Sequence, residues 1–312
     1  MHTQEHKRLL EDQHKIRAWK KWGPYVSDRQ WGTVREDYSN GGNAWSFLSH
    51  EMSRSVAYRW GEDGIGGICD NEQHLCFALA FWNHKDSILK ERLFGLTGPE
   101  GNHGEDVKEM YYYLDSTPTH SYMKMLYKYP QNAFPYADIL EETRKRSMKD
   151  PEYEIMDTGI FDKDEYFDIF IEYSKVTEDE ILIQLTIHNR SEETAKLDVL
   201  PTLWFRNTWA WGHDDYKPHL ASYHPREIDI THRALPEKLT LYCEGADDVL
   251  FCENETNRKK IYHEKKAKGF TKDAFHEFVI AGNKKAVNKL STIMVAKFIN
   301  DFLSVSISLI AI

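Results

Sequence analysis

The stretch EILIQLTIHN, residues 180–189, constrains the fold of this chain more than any other segment. Every second position holds an apolar residue, namely Ile181, Ile183, Leu185 and Ile187, and polar residues mostly lie between them. This period of two is typical of a β-strand with one face buried and one face in water. The segment therefore predicts a sheet packed against a hydrophobic core.

Other short segments have the same character. YFDIFIEYSK (166–175) precedes the first stretch, and VTEDE between the two predicts a hairpin turn. Further predicted strands are HLCFALAFW (74–82), EMYYYLDST (109–117), KLTLYCEG (238–245), DDVLFCEN (247–254) and FHEFVIAG (275–282). Short strands separated by turn signals favour a mainly β fold, an antiparallel, supersandwich-like β-sandwich.

Two helical segments interrupt this pattern. Residues 4–20 predict a short polar N-terminal helix that ends before Gly23 and Pro24. A helical connection is predicted near 137–149, where apolar residues recur at helical spacing in YADILEETRKRSM. The expected organisation is a helical lead-in at 1–22, a β-sandwich domain at 23–287 and an atypical tail at 288–312.

The tail ends in FLSVSISLIAI, which alternates like a strand and has no turn or polar cap after it. An apolar strand at the edge of a sheet is an aggregation hazard that proteins usually avoid. We therefore expect a truncated or frameshifted tail whose last strand is unpaired. Its longest uncharged run is too short to span a membrane.

Composition narrows the class of protein. Of the 312 residues, 41% are hydrophobic and 29% charged, and the net charge is −10, which argues against binding to a nucleic-acid backbone. The four cysteines have neither zinc-site spacing nor the density of a disulfide scaffold. We expect buried thiols in a reducing compartment. The charged N-terminus lacks an apolar signal region, and the cytoplasm is the expected location.

Clusters that combine Glu-Asp with Gly, Trp, Arg or His are the candidate site. They occur in WGTVREDYS, RWGEDG and GNHGED. The candidate residues are Trp31, Arg35, Glu36, Asp37, Arg59, Trp60, Glu62, Asp63, His103, Glu105 and Asp106. Adjacent residues in a strand point to opposite faces, so no Glu-Asp dipeptide supplies two facing catalytic carboxylates. Each dipeptide offers one inward group, either for a sugar hydroxyl or for an arginine such as Arg35 or Arg59.

Other chemistries find little support in the sequence. NHGED and WGHDD place a histidine beside carboxylates but match no metal-binding spacing. No nucleophile-elbow motif is present, and GIGG is not a phosphate-binding loop. No metal, cofactor or catalytic residue is assigned.

Several long runs resemble one family. KKWGPYVSDRQWGTVREDYS, CFALAFWN, LKERLFGLTGPEGNHGEDVKEMYYYLDSTPTHSYMKMLYKYPQ and LPTLWFRNTWAWG are similar to the amino-terminal region of large bacterial proteins. Those proteins belong to glycoside hydrolase family 63, the processing α-glucosidases. The likeness covers roughly residues 15–285.

The resemblance implies an amino-terminal β-sandwich that precedes an (α/α)₆ barrel, and the barrel carries the catalytic Asp and Glu for inverting hydrolysis. This chain has no room for that barrel. We therefore expect a non-catalytic domain, inactive alone, whose candidate residues form a substrate wall or a domain interface. A stand-alone oligosaccharide-binding module and a small glycosidase using its own carboxylates are the alternatives. Expected partners are a glucoside and the missing helical domain, with no nucleic acid and no membrane.

Overall fold

A computed structural model describes residues 3–26, 48–58, 63–101, 107–224, 226–236, 238–265, 269–288, 295–299 and 304–311. The described helices are α1 (Gln4–Gln13), α2 (His50–Ser53), α3 (Tyr136–Lys145), α4 (Arg258–Tyr262) and α5 (Ala274–Val279). The strands are β1 (Ile65–Cys69), β2 (Leu75–Trp82), β3 (Met110–Ser116), β4 (Tyr122–Pro130), β5 (Tyr166–Lys175), β6 (Glu180–Asn189), β7 (Asp198–Phe205), β8 (His219–His224), β9 (Glu227–Thr231), β10 (Leu239–Cys243), β11 (Asp248–Cys252), β12 (Val295–Ile299) and β13 (Ser304–Ala311).

Two antiparallel sheets contain all of these strands. One has the order β1-β2-β7-β12-β11, and the other has the order β3-β4-β5-β6-β13-β10-β9-β8. The sheets pack face to face. The Phe77 and Tyr173 rings meet edge to face at 6.3 Å, and the Tyr173 hydroxyl donates to the Gly66 carbonyl at 2.7 Å. The prediction of a mainly β fold with a short N-terminal helix is confirmed.

The two sheets differ in how many faces they bury. In β6 buried and more exposed residues alternate, as the sequence pattern predicts, with its apolar side in the core between the sheets. In β7 every residue is buried. A second apolar cluster covers the outer face of the five-stranded sheet. It includes Trp204 of β7 and Phe275 of α5. The five-stranded sheet is therefore an internal layer.

Several local predictions are confirmed. β5 and β6 have the predicted bounds and form the expected hairpin. The helical connection is α3, which ends at Lys145 rather than near 149. All four cysteines are buried thiols, and none of them forms a disulfide bond. No helix among the described residues has the length and apolar character needed to cross a membrane.

The predicted strand at 275–282 was wrong. Residues 274–279 form α5, whose Phe275 is completely buried. A short apolar run is compatible with either a strand or a buried helix, so its pattern does not distinguish the two structures. Here the segment packs its apolar side on the outer face of the five-stranded sheet.

The C-terminal strands also differ from expectation. β12 pairs with β7 and β11, and β13 pairs with β6 and β10, so both lie inside their sheets. The expectation that the last strand is an unpaired edge is therefore wrong. The boundaries at residues 22 and 287, and the truncation itself, stay predictions.

Candidate functional site

Almost all of the candidate residues fall outside the described part of the chain. Trp31, Arg35, Glu36, Asp37, Arg59, Trp60, Glu62, His103, Glu105 and Asp106 belong to residues 27–47, 59–62 and 102–106. We call these three stretches the acid-rich segments. Asp63 is the one candidate that the structure places. The site is therefore built from the described residues at the ends of these segments.

Asp63 lies two residues before β1 and is buried, with 9% of its surface exposed. Its Oδ1 is 3.7 Å from a terminal nitrogen of Arg92. An arginine partner for this acid was one of the sequence interpretations, but with Arg35 or Arg59 as the partner. Arg92 lies in the loop between β2 and β3, and nothing in the sequence pattern indicated it.

That loop contains three consecutive charged residues that are all buried. Lys90 is completely buried, and Glu91 and Arg92 are exposed by only 4% and 7%. Lys90 forms a backbone bridge with Phe81 of β2, which holds the start of the loop against the five-stranded sheet. Consecutive side chains of an extended segment point in different directions, so each charge meets its own partners.

Glu91 binds two ammonium groups and a phenol. Its carboxylate pairs with Lys272 and lies 3.2 Å from the Lys297 Nζ, while the Tyr58 hydroxyl donates to it at 2.5 Å. Burial alone would raise the pKa of Glu91, but Lys272 and Lys297 together hold it well below its usual range. The Glu91 carboxylate is therefore ionised at neutral pH. We call Tyr58, Glu91, Lys272 and Lys297 the Glu91 cluster.

The two lysines of the Glu91 cluster have further partners. The Lys297 Nζ donates to the Thr202 hydroxyl at 2.8 Å, and the Lys272 Nζ donates to the Ser53 carbonyl at 3.2 Å. Lys272 also lies 4.5 Å from the centre of the Tyr58 ring. Burial lowers the pKa of Lys297, and the adjacent Glu91 offsets part of this effect. A buried ion pair needs such additional bonds to compensate for its desolvation.

Lys90 forms a separate buried ion pair. Its Nζ lies 2.6 Å from Glu109 Oε1 and 3.7 Å from the centre of the Phe134 ring. Glu109 also accepts from the Tyr127 hydroxyl at 2.9 Å and from the Phe94 backbone N–H at 3.0 Å. Burial raises the pKa of Glu109 even though Lys90 opposes the shift.

Arg92 is linked to α2 as well as to Asp63. The His50 Nε2 lies 3.3 Å from the Arg92 carbonyl, and the His50 backbone N–H donates to the Glu100 carboxylate. Burial, with the positive charges of Lys90 and Arg92, lowers the pKa of His50 well below its ordinary value. The imidazole is therefore neutral, and a neutral ring suits a position among buried cations.

The described ends of all three acid-rich segments are linked to residues 90–92, two of them directly and the third through His50. His50 follows segment 27–47 and contacts Arg92. Tyr58 and Asp63 flank segment 59–62 and contact Glu91 and Arg92. Glu100, just before segment 102–106, binds His50. Three separate stretches of the sequence thus have described ends that are linked to one buried set of charges.

Three of the described carboxylates of this region form ion pairs within the protein. Glu91, Glu109 and Asp63 each have a cationic partner within the protein. Among the residues that the structure describes, no group of three or more His, Cys, Asp or Glu is placed to hold a metal ion. A depression beside Gly101 and Thr143 has room for about one water molecule.

Sequence reasoning missed the Glu91 cluster altogether. Lysine and glutamate are almost never buried unless they are paired, so a Lys-Glu-Arg run predicts a solvated loop. The partners of Glu91 lie at positions 58, 272 and 297, and no local pattern connects them.

Comparison with known proteins matches the chain to one part of a longer relative. The fold is that of a two-sheet antiparallel β protein. No protein-family model matches the sequence. The chain is homologous to the uncharacterized protein YMR196W of Saccharomyces cerevisiae, with 43% identity over 321 aligned residues. The match covers 92% of this chain but 30% of the yeast protein, so the chain spans less than a third of this relative's length.

Proposed function

We propose that this chain is a non-catalytic β-sandwich domain of a larger α-glucosidase similar to glycoside hydrolase family 63. In this proposal a helical domain elsewhere in the full-length protein carries the catalytic carboxylates. The acid-rich segments of the sandwich form a wall of the substrate pocket or the interface with that domain. The role of the chain is to position these segments.

The observation that carries the proposal is the convergence at residues 90–92. Segment 59–62 is held at both ends, by the hydrogen bond from Tyr58 to Glu91 and by the ion pair of Asp63 with Arg92. The described ends of the other two segments are joined at His50, which contacts the Arg92 carbonyl and donates to Glu100. Such pairs fix the geometry of loop ends, because separating either charge from its partner inside the protein is costly. A rigid scaffold that positions polar loops is the usual arrangement at binding surfaces.

Two further findings support the proposal. The mainly β, two-sheet fold agrees with what the family resemblance implies for an amino-terminal domain. The yeast homologue continues for more than two thirds of its length outside the match, which leaves room for a separate catalytic domain.

The test is glucose release from α-linked gluco-oligosaccharides by three proteins. We expect the full-length yeast relative to release glucose with inversion, which NMR detects as the β-anomer appearing first. Deleting the region that matches this chain should abolish the activity, and the 312-residue chain alone should release none. An inactive full-length relative, or hydrolysis by the chain alone, would contradict the proposal. The second of these results would favour the small-glycosidase alternative.

A further inference from the structure

Two of the four cysteines lie opposite each other on neighbouring strands. In the antiparallel pairing of β1 with β2, Cys69 faces Cys76. The structure describes all four cysteines, and the other two lie opposite an isoleucine of β13 and a valine of β12. Cys69 and Cys76 are therefore the one pair of cysteines that occupies facing positions in a sheet.

The backbone around Cys69 shows which type of facing pair this is. The Cys69 carbonyl accepts from the Gly23 N–H at 3.1 Å and so points away from β2. At the next residue, the Asp70 N–H donates to the Leu75 carbonyl at 3.3 Å and so points toward β2. Because these directions alternate along a strand, Cys69 and Cys76 form a non-hydrogen-bonded pair. In such pairs the Cα atoms are about 4.5 Å apart and the side chains are closest.

The two cysteine side chains also lie on the same face of the five-stranded sheet. Facing residues of an antiparallel pair project to one side. Both Cys69 and Cys76 belong to the second apolar cluster, on the outer face of this sheet. A disulfide joins residues whose Cα atoms are about 4.4 to 6.8 Å apart, a range that includes a non-hydrogen-bonded pair. The bond can therefore form within the existing pairing of β1 with β2.

We propose that Cys69 and Cys76 are a redox-sensitive pair, which hydrogen peroxide converts to a disulfide in the folded protein. Cys69 is 5% exposed and Cys76 is completely buried, so peroxide meets the Cys69 sulfur first. That sulfur attacks one peroxide oxygen, the O–O bond breaks, and one water leaves with the Cys69 proton. The product is a sulfenic acid.

Cys76 completes the reaction. Its sulfur attacks the Cys69 sulfur, so that the S–S bond forms as the S–O bond breaks. The departing hydroxyl takes the Cys76 proton and leaves as a second water. Overall, two thiols are oxidised to one disulfide, and one hydrogen peroxide is reduced to two water molecules.

The pair lies where the N-terminal region joins the five-stranded sheet. Trp22 forms a backbone bridge with Asp70, and the Asn71 N–H donates to the Lys21 carbonyl at 2.7 Å. β1 is the edge strand of its sheet, and edge elements open locally more readily than interior ones. The disulfide prevents β1 from separating from β2 and so fixes the strand that holds the N-terminal region.

Such a pair suits the reducing compartment that the sequence predicts. Disulfides there are transient and report on oxidants rather than permanently cross-linking the fold. This inference goes beyond the proposed glucosidase role and does not depend on it.

The test is peptide mapping of the folded 312-residue chain after treatment with hydrogen peroxide. The remaining thiols are alkylated as the chain is unfolded, and a protease that cleaves after glutamate then cuts after Glu72. This cut places Cys69 and Cys76 on separate fragments, which should stay linked until a reductant is added. Cys69→Ser and Cys76→Ser should each abolish the linked fragments. Cys252→Ser, at a completely buried cysteine of β11, is the matched control and should retain them.

Three results would overturn the proposal. The first is the absence of linked fragments from the peroxide-treated folded chain, and the second is their appearance only when peroxide is added in urea. The third is sulfinic or sulfonic acid at Cys69 without a disulfide, since Cys76 would then not reach the oxidised sulfur. Mapping of the unmodified chain gives the answer even if a serine variant does not fold.

Hydrogen exchange tests the effect on the N-terminal region. The Gly23 and Val26 amides donate to β1 carbonyls at 3.1 and 3.0 Å. Both should exchange severalfold more slowly in the oxidised chain than in the reduced chain, because local opening of β1 is prevented. Equal rates in the two forms would overturn this part of the proposal. None of these outcomes depends on the glucosidase assay.

Discussion

Lys175 and Lys297 are both almost completely buried, at 6% and 0% exposure, but different groups compensate their charges. Lys297 lies 3.2 Å from the Glu91 carboxylate. Lys175, at the end of β5, donates to the carbonyls of Trp19, Trp22 and Thr119 at 2.7, 2.6 and 3.3 Å. One lysine has a buried counter-ion, and the other has only backbone dipoles in direct contact.

This difference indicates which parts of the fold each lysine holds together. The Glu91 cluster joins the loop before β3 to the segment before α5 and to β12 inside the five-stranded sheet through opposite charges. Lys175 joins the N-terminal lead-in to the eight-stranded sheet through hydrogen bonds alone. Burial lowers the pKa of Lys175 to about 7, and the more distant Asp12 and Glu5 offset this only in part. The two sites should therefore respond differently to substitution and to pH.

Removing the counter-ion should have the largest effect. Glu91→Gln leaves two buried ammonium groups without their carboxylate, and we expect a loss of about 3–5 kcal/mol in the free energy of unfolding. Urea denaturation at pH 7 measures it. Glu72→Gln, at a surface acid whose side chain is 70% exposed, is the control and should change little. A loss of less than about 1 kcal/mol for Glu91→Gln would show that the Glu91 cluster does not hold the fold together.

The same carboxylate should make the protein sensitive to acid. The pKa of Glu91 is lower in the folded than in the unfolded chain, so its stabilising contribution is present above the unfolded pKa near 4.5. It is lost as the pH falls through the folded value, because protonation is then coupled to unfolding. The difference in stability between the unmodified chain and Glu91→Gln should therefore shrink in strong acid.

Lys175→Met should lower the free energy of unfolding by less than Glu91→Gln does. Its effect should depend on pH above 7 rather than in acid. Three buried carbonyls lose a donor, and we expect a loss of about 1–3 kcal/mol. Above pH 7 the folded chain releases the Lys175 proton while the unfolded chain keeps it up to about pH 10.5. The unmodified chain therefore gains stability relative to Lys175→Met as the pH rises from 7 to 9. Denaturation at both pH values measures this gain, with Lys7→Met as the exposed control.

A constant difference between the unmodified chain and Lys175→Met across this range would contradict the prediction. It would mean that Lys175 keeps its ordinary pKa in the folded protein, and that the three carbonyls stabilise its charge as effectively as a carboxylate would. The contrast between Lys175 and Lys297 would then disappear.

His276 should give the smallest effect. It is buried beside the Glu91 cluster, and neither ring nitrogen has a hydrogen-bond partner among the residues that the structure describes. Burial lowers its pKa to about 3, so the ring is neutral at pH 7. We expect His276→Phe to change stability by less than about 1 kcal/mol at pH 7. The variant should also lose less stability than the unmodified chain between pH 6.5 and 3, since the unfolded histidine binds a proton in that range.

Urea denaturation at pH 7 and pH 4 checks this prediction, and His224→Phe, at an exposed position, is the control. A large loss at pH 7 would indicate that the His276 ring nitrogens have a partner in solution. Such a result would extend the polar network around Glu91 by one more side chain.

Local patterns predicted the local parts of this fold. β5, β6 and the hairpin between them follow from alternation and turn composition, and α3 follows from helical spacing. Residues 275–282 were predicted as a strand, whereas Ala274–Val279 form a helix, because short apolar runs do not distinguish the two structures. The interior position of β12 was missed because Lys297 interrupts the apolar pattern, and its partner Glu91 is distant in the sequence.

The candidate site was predictable only in part. The Glu-Asp motifs indicated which segments to consider, and of the candidate residues in them the structure describes only Asp63. The charged run at residues 90–92, where the segment ends meet, could not be predicted, since burial of a charge depends on partners that tertiary folding brings together.

Hydrogen exchange in the Glu91→Gln variant tests the central claim most directly. That claim is that one buried set of charges positions the described ends of all three acid-rich segments. Under conditions where the variant stays folded, amides in residues 48–58, 63–69 and 96–110 should all exchange faster than in the unmodified chain, while those of the β5–β6 hairpin stay protected. Faster exchange confined to the residues next to position 91, or no change in any of these three ranges, would contradict the claim.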